Sequence, residues 1–221
     1  MGCQAWGVIT CIEEIVIHLI AKNQGIILHK TKCEGCGSVT PNHDITHYGS
    51  YEHGYKKLCS LCFNADVAER CGIGEFENIK LEPIGITDCN GQTHEFHFVS
   101  RLLGHILTLE AFELQDGVPA GYQFQIIGDP QDDLFAMLGR MIEKIRRALA
   151  VKHLIDDPVH GLQIADQIVR GSIECDLSTD DRMPLMVIDG REVTWEEFGR
   201  ILMTFEGWQF KLEIFDRSEE P

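Results

Sequence analysis

The sequence has few basic residues for its length. Its 221 residues include 19 Lys and Arg against 35 Asp and Glu, so the formal net charge is −16. Residues 1–78 carry six basic and nine acidic residues, and residues 79–221 carry thirteen and twenty-six. Affinity for nucleic acid and for anionic membranes depends on Lys and Arg that neutralise phosphates. The composition therefore argues against both kinds of partner.

Long hydrophobic runs are also missing. The apolar run at residues 15–20 is far shorter than the roughly 20 residues of a membrane-spanning helix. Residues 1–30 lack a cationic start, and Glu13 and Glu14 interrupt their apolar stretch, so we expect no cleavable signal peptide. Five of the nine cysteines are scattered and odd in number, which is not typical of a disulfide framework. A reducing, cytoplasmic location is expected.

No catalytic motif is present. We find no Gly-x-Ser-x-Gly elbow, no Gly-x4-Gly-Lys-Ser/Thr loop and no complete Gly-x-Gly-x-x-Gly. His94-Glu95-Phe96-His97 lacks the helical i, i+4 histidine pair of zinc proteases. The sequence therefore favours a non-enzymatic protein. The alternative is an enzyme with an unrecognised active site in the C-terminal domain, built from His94, His97 and His105 or from Arg140, Lys144 and Arg147.

Four cysteines carry the clearest signal in the chain. Cys33, Cys36, Cys59 and Cys62 follow the pattern C-x2-C-x22-C-x2-C. Two such pairs at this separation predict one tetrahedral Zn2+ site. Four thiolates leave no open coordination position, so the predicted zinc is structural. The alternative interpretation is a pair of reduced or redox-active Cys-x-x-Cys motifs without metal.

Residues 29–76 are predicted to form the zinc module. Gly35 and Gly37 lie on either side of Cys36, where the backbone has to turn towards sulfur. Tyr48, Tyr51 and Tyr55 indicate a two-stranded hairpin whose aromatic rings cover a small core. A helix with Cys62 in its first turn is expected to follow and to end at Gly72. Residues 1–28, before the module, indicate a short amphipathic helix or an extension with little structure.

Residues 77–221 are predicted to form an α+β domain, a mainly antiparallel sheet packed with two or three helices. Asn90-Gly91 and Asp116-Gly117 indicate tight hairpins. Asp129 is expected to cap a helix with an apolar stripe from Leu134 to Leu149, and residues 162–169 to form another helix.

The C-terminal part of this domain has two further signals. A capping box at residues 194–197 explains Glu196 and Glu197 as residues of a first helical turn. Residues 209–215 read as a last strand, and Trp195 and Trp208 as core anchors.

Two stretches resemble known proteins. The run KLCSLCFN at residues 57–64 resembles the second half of treble-clef zinc fingers. The run VIDGREVTWEEFG at residues 187–199, with EGWQF at residues 206–210, is similar to a family of uncharacterised bacterial proteins that join such a finger to an α+β domain. The resemblance covers most of the chain from residue 30. It implies a role for the four cysteines as zinc ligands and assigns no activity.

These observations lead to one functional expectation. We expect a zinc-binding protein, of no more specific assigned function, that acts through protein–protein contact. Its partner would be another protein or a second copy of itself, and neither nucleic acid nor a membrane.

Overall fold

The structure is a computed structural model that describes residues 30–51, 54–176 and 183–219. Its class is α+β, as predicted: the strand pairs of the described residues are antiparallel, and three α-helices accompany them. The predicted helix in residues 1–28 lies outside the described residues.

The cysteine module, residues 30–76, begins with short strands and ends with a helix. Its elements are β1 (Lys30–Lys32), β2 (Val39–Pro41), β3 (Ile45–Ser50), β4 (Gly54–Cys59) and α1 (Ser60–Cys71). β1 pairs with β2, and β3 pairs with β4 in the predicted hairpin. Gly72 ends α1 in the left-handed conformation at φ 67°, as expected.

The three tyrosines of the hairpin do not share one core. The ring of Tyr48 lies edge-on to buried Phe63, with 5.2 Å between ring centroids. Tyr51 stands at the hairpin tip and is exposed, and Tyr55 is half-exposed. Tyr48 pairs with Lys56, so the neighbouring Tyr55 must point to the opposite face of the ribbon. The prediction that all three rings cover the core was therefore wrong for Tyr51 and Tyr55.

A four-stranded sheet with one helix across it forms the largest core. The strands are β5 (Ile84–Thr87), β6 (Thr93–Leu103), β7 (Ile106–Gln115) and β8 (Val118–Gly128), in that spatial order. Both predicted hairpins are present: Gly91 lies in the turn before β6, and Asp116 and Gly117 take φ values of 54° and 79° between β7 and β8. Positive φ at both positions suits a tight antiparallel turn.

Helix α2 (Leu134–Leu149) covers this sheet. Its buried stripe is Leu134, Met137, Met141, Ile145 and Leu149. The predicted cap was wrong, because Asp133 and not Asp129 accepts hydrogen bonds from the first-turn N–H groups. Asp129 lies in the preceding turn, where its carboxylate accepts from the Gln131 N–H.

The chain ends in two smaller antiparallel units. A hairpin joins β9 (Leu154–Asp157) to β10 (Gly161–Ile164), and a three-stranded sheet joins β11 (Gly171–Asp176), β12 (Met183–Ile188) and β13 (Arg191–Thr194). Helix α3 (Trp195–Leu202) follows with the predicted capping box between Thr194 and Glu197.

Three expectations for this region were wrong. Residues 162–169 contain strand β10 and no helix, because β10 pairs with β9. Trp195 and Trp208 are exposed and do not anchor the core. Residues 209–215 are not assigned as a strand and have no ladder partner among the described residues.

The cysteine module packs against the C-terminal end of β6. Buried Leu102 of β6 shares a core with Cys33, Leu58, Phe63 and Val67 of the module. Arg101 of β6 donates hydrogen bonds to the His43 carbonyl at 2.8 Å and the Thr46 hydroxyl at 3.3 Å. The module and the sheet are therefore joined by both apolar and polar contacts.

Candidate metal centre

Three local structures bring the four cysteines together. Cys33 and Cys36 lie in the tight loop between β1 and β2, where the Gly37 N–H donates to the Cys33 carbonyl at 2.9 Å. Cys59 ends β4, and Cys62 lies in the first turn of α1. The Glu34 N–H donates to the Lys57 carbonyl at 2.8 Å, which ties the loop to β4. Residues far apart in sequence thus meet at one point.

The four sulfur atoms have the spacing of a tetrahedral metal site. All four Sγ atoms lie within 4.8 Å of one another, and Cys36 Sγ is 3.9 Å from Cys59 Sγ. Four sulfurs at about 2.3 Å from a central Zn2+ would stand about 3.8 Å apart. The residues therefore fit one metal ion, as the cysteine spacing predicted, and no other cluster of this kind was found in the described part of the chain.

The backbone around Cys33 favours a thiolate. The Cys59 N–H donates to Cys33 Sγ at 3.2 Å, and the Gly35 N–H donates to it at 3.4 Å. Burial acts to raise the pKa of the Cys33 thiol, but the backbone donors outweigh it and lower the pKa to about 6. N–H groups that point at sulfur suit a metal ligand, because metals bind the deprotonated form.

The same site disfavours charge on the second pair. Burial, followed by the neighbouring cysteines, raises the pKa of the Cys62 thiol, and burial also raises the pKa of Cys59. Four thiols crowded in a partly buried site cannot all ionise without a compensating cation. The donor set is therefore one that a divalent metal completes.

Gly35 leaves room for the second cysteine pair. A Cβ added at Gly35 would lie 3.0 Å from both Cβ and Sγ of Cys62. This close approach explains why position 35 is glycine. The sequence analysis had explained that glycine by the turn of the backbone alone. Gly37 takes a φ of 77° and completes that turn.

The three histidines of the alternative active site, His94, His97 and His105, do not lie together. His94 is buried beside Asp88 and Glu113, whereas the ring of His97 stacks on Phe112 near His43. His105 lies in the turn between β6 and β7. Because these rings face different surroundings, they do not form one acid–base or metal site.

The three basic residues of α2 that the sequence offered as an anion site each have an interaction partner within the protein. Arg140 lies 3.8 Å from the Asp132 carboxylate. Lys144 Nζ donates to the main-chain carbonyls of Gln125, Arg217 and Glu219 at 3.2, 2.9 and 3.1 Å. Arg147 also has an interaction partner. The three side chains therefore do not form an open anion site.

A buried polar network was missed by the sequence analysis. Asp88 Oδ2 lies 3.1 Å from Lys152 Nζ and 3.4 Å from His94 Nε2, and His94 Nδ1 lies 2.8 Å from Glu113 Oε1. Burial disfavours the ionised form of Asp88, but the Gln92 N–H, the Lys152 ammonium and the Asn90 N–H outweigh it and lower the pKa of Asp88 to about 2. These residues have no motif spacing, so only the fold reveals the network.

Three family models match successive parts of the chain. Each is described as a domain of unknown function: DUF7685 matches residues 32–74, DUF7686 residues 77–150 and DUF7713 residues 153–219. No curated protein and no solved structure matches the chain. The matches agree with the resemblance to uncharacterised proteins, and they assign no activity.

Among the helices of residues 30–51, 54–176 and 183–219, none is long and apolar enough to cross a bilayer.

Proposed function

We propose that the cysteine module is a zinc finger of the treble-clef type and that its metal is structural. The observation that carries this proposal is the closed set of four cysteine sulfurs within 4.8 Å of one another. The order of a cysteine loop, a hairpin and a helix that carries the second pair supports the treble-clef type. With four sulfur ligands, Zn2+ has no position left for water or substrate, so it holds the fold and does no chemistry.

We further propose that the protein acts through protein–protein contact and not as an enzyme. The groove between β5 and the end of α2 contains Asp88, Cys89 and Arg146 among mainly apolar residues. Its Asp88 is paired with Lys152, and its Arg146 is paired with Glu143. Ionisable groups that neutralise one another support a structural role better than a catalytic one.

A reducing compartment such as the cytoplasm suits this proposal. The seven cysteines of the described residues are free of disulfides, and Cys36, Cys89 and Cys175 among them are exposed. Zinc thiolates and exposed thiols persist where glutathione and thioredoxin keep cysteines reduced.

Metal analysis of the purified full chain tests the zinc proposal. Elemental mass spectrometry should find one zinc per chain, and Cys59→Ser should abolish it. Cys175→Ser is the matched control, because Cys175 is exposed and distant in sequence from the cluster. Stoichiometric iron with visible absorption would contradict zinc, since four thiolates also suit iron. Absence of any metal in chain purified without chelators would contradict the site itself.

A further inference from the structure

The C-terminal arm, residues 208–215, runs without helix, turn or bend and has no ladder partner among the described residues. From Trp208 to Ile214 every second residue is apolar: Trp208, Phe210, Leu212 and Ile214 are 62, 92, 71 and 70% exposed, and Phe215 follows outside this alternation. Gln209, Lys211 and Glu213 alternate with them and are exposed as well. Among the described residues, no backbone group of residues 209–215 takes part in a ladder. The arm has the side-chain alternation of a strand and lacks the partner a strand requires.

The arm is held by a local turn at its start and by helix α2 just after its end. At its start, the Trp208 N–H donates to the Phe205 carbonyl at 2.9 Å, and the two rings meet edge-on. After its end, the Arg217 carbonyl accepts from Lys144 of α2 at 2.9 Å. An extended segment held at both ends loses little conformational freedom when it pairs, so it is prepared for strand addition.

The sequence of the arm is complementary to itself in one register. In an antiparallel pair of two arms with the two-fold axis at Leu212, Lys211 of each copy stands opposite Glu213 of the other. On the second face Leu212 meets Leu212, and Phe210 meets Ile214. Outside residues 210–214 the match ends, because Trp208 stands opposite Asp216 and Gln209 opposite Phe215. Opposite charges and aromatic–β-branched pairs are the cross-strand contacts that stabilise antiparallel sheets.

Other registers lack the pair of Lys211 with Glu213. A shift of the axis to residue 211 places Lys211 opposite Lys211, and a shift to residue 213 places Glu213 opposite Glu213. An axis that lies between two residues, such as Lys211 and Leu212, places apolar side chains opposite charged ones. Like charges directly opposite destabilise a pair, and an axis at Phe210 would leave Lys211 opposite the uncharged Gln209, so the register centred on Leu212 is the one that pairs Lys211 with Glu213.

We propose that two copies of this chain associate through their C-terminal arms, which pair as antiparallel strands about a two-fold axis at Leu212. This inference rests on the proposed contact function and names a second copy as the partner. The pairing supplies the missing backbone hydrogen bonds and buries the apolar face of each arm. The formal charge of −16 on each chain opposes association, so the specific register has to overcome a general repulsion.

Sedimentation velocity of the full zinc-loaded chain at 0.15 M salt, from about 1 to 100 μM, tests the pairing. The wild-type chain should be dimeric at the upper end of this range. Lys211→Glu should weaken the dimer about tenfold or more, because it places two glutamates opposite each other twice in the symmetric pair. The double variant Lys211→Glu with Glu213→Lys restores opposite charges and should restore the dimer.

The matched control is Val159→Glu, a substitution of an exposed apolar residue in the turn between β9 and β10. It should leave the dimer unchanged, and circular dichroism should show that all variants are folded. A monomeric wild-type chain across the whole range would overturn the pairing and leave the zinc proposal untouched. A dimer that is insensitive to Lys211→Glu, or is not restored by the double variant, would also overturn it.

A disulfide cross-link tests the position of the two-fold axis. In Leu212→Cys the two substituted positions would face each other at about 4.5 to 5.5 Å between Cα atoms, which is within reach of a disulfide. Mild oxidation of that variant should join two chains at position 212, as identified by peptide mass spectrometry. Val159→Cys should give no such link, and a dimer of Leu212→Cys without the link would exclude this register.

Discussion

The side chain of Asn64 on α1 covers the open edge of strand β6. Its Oδ1 accepts a hydrogen bond from the Leu102 N–H at 2.8 Å, and its Nδ2 donates to the Ser100 carbonyl at 3.1 Å. β5 pairs with β6 only from Thr93 to Phe96, so it does not reach these groups. The amide thus takes the place of a neighbouring strand and joins the cysteine module to the sheet.

Replacement of Asn64 should destabilise the protein strongly. Asn64→Ala leaves a donor and an acceptor of β6 buried without partners, so the free energy of unfolding should fall by roughly 2–4 kcal/mol. Urea denaturation measures this. Asp66→Ala on the same helix is the matched control, because its ion pair with Arg70 lies at the surface, with the Arg70 side chain 67% exposed, and should contribute under about 1 kcal/mol. Equal effects of the two substitutions would contradict the role given to Asn64.

Removal of the metal should affect one part of the molecule first. The cysteine module buries few apolar residues of its own, so a chelator should unfold α1 and expose the Ser100–Leu102 edge of β6 to exchange. The core of Phe96, Leu109, Met137 and Met141 contains no metal ligand and should stay folded. Hydrogen exchange followed by mass spectrometry would show rapid exchange in α1 and continued protection in α2. Loss of protection in both helices would show that the sheet depends on the metal.

Gly35→Ala should weaken metal binding. The added Cβ would lie 3.0 Å from Cys62 Sγ, so either the loop or the second cysteine pair has to move. Changes in the groups that surround and orient metal ligands typically lower affinity about 10- to 100-fold. Competition with a chromogenic chelator measures the change. Gly74→Ala is the matched control, because no atom lies within 4 Å of the added Cβ and the position has no positive φ. Unchanged affinity in Gly35→Ala would show that the loop adapts freely.

The buried network predicts a loss of stability in acid. The pKa of Asp88 is lowered from 3.8 to about 2 in the folded state, so its contribution is present above pH 3.8 and is lost as the pH falls towards 2. In Asp88→Asn this part of the acid dependence should disappear, and stability at neutral pH should fall because Lys152 loses its partner. Denaturation at a series of pH values tests this. Asp156→Asn, at an exposed carboxylate paired with Arg191, is the control.

The features that the sequence predicted are those encoded by neighbouring residues. The Cys-x-x-Cys pairs, Asp116-Gly117 and the capping box at Thr194 each act within a few residues, and all three are found in the structure. The cap of α2 shows the limit of this reasoning. Asp129 and Asp133 both precede apolar residues, and the helix begins after the second. There the Leu134 N–H also donates to Glu77, a residue that no local pattern connects to it.

The remaining features depend on contacts between distant segments. Asn64 is an ordinary helical residue until β6 lies beside it, and His94 joins Asp88 and Lys152 only after three elements have packed. The C-terminal arm is the opposite case. Its alternation predicted a strand, but a ladder also requires a neighbouring strand, and the arm has none among the described residues. Local sequence therefore predicts conformation better than it predicts partners.

The cysteine module should not bind nucleic acid, although many zinc fingers do. Lys56 and Lys57 are its only adjacent cations, and as neighbours on β4 they point to opposite faces of the hairpin, so they do not form one patch. Four thiolates with one Zn2+ would add two negative charges beside them. Random DNA or RNA should therefore show no retention at physiological salt. A salt-dependent dissociation constant below about 10 μM that Lys56→Glu weakens would contradict this argument, because such binding requires phosphate neutralisation at that lysine.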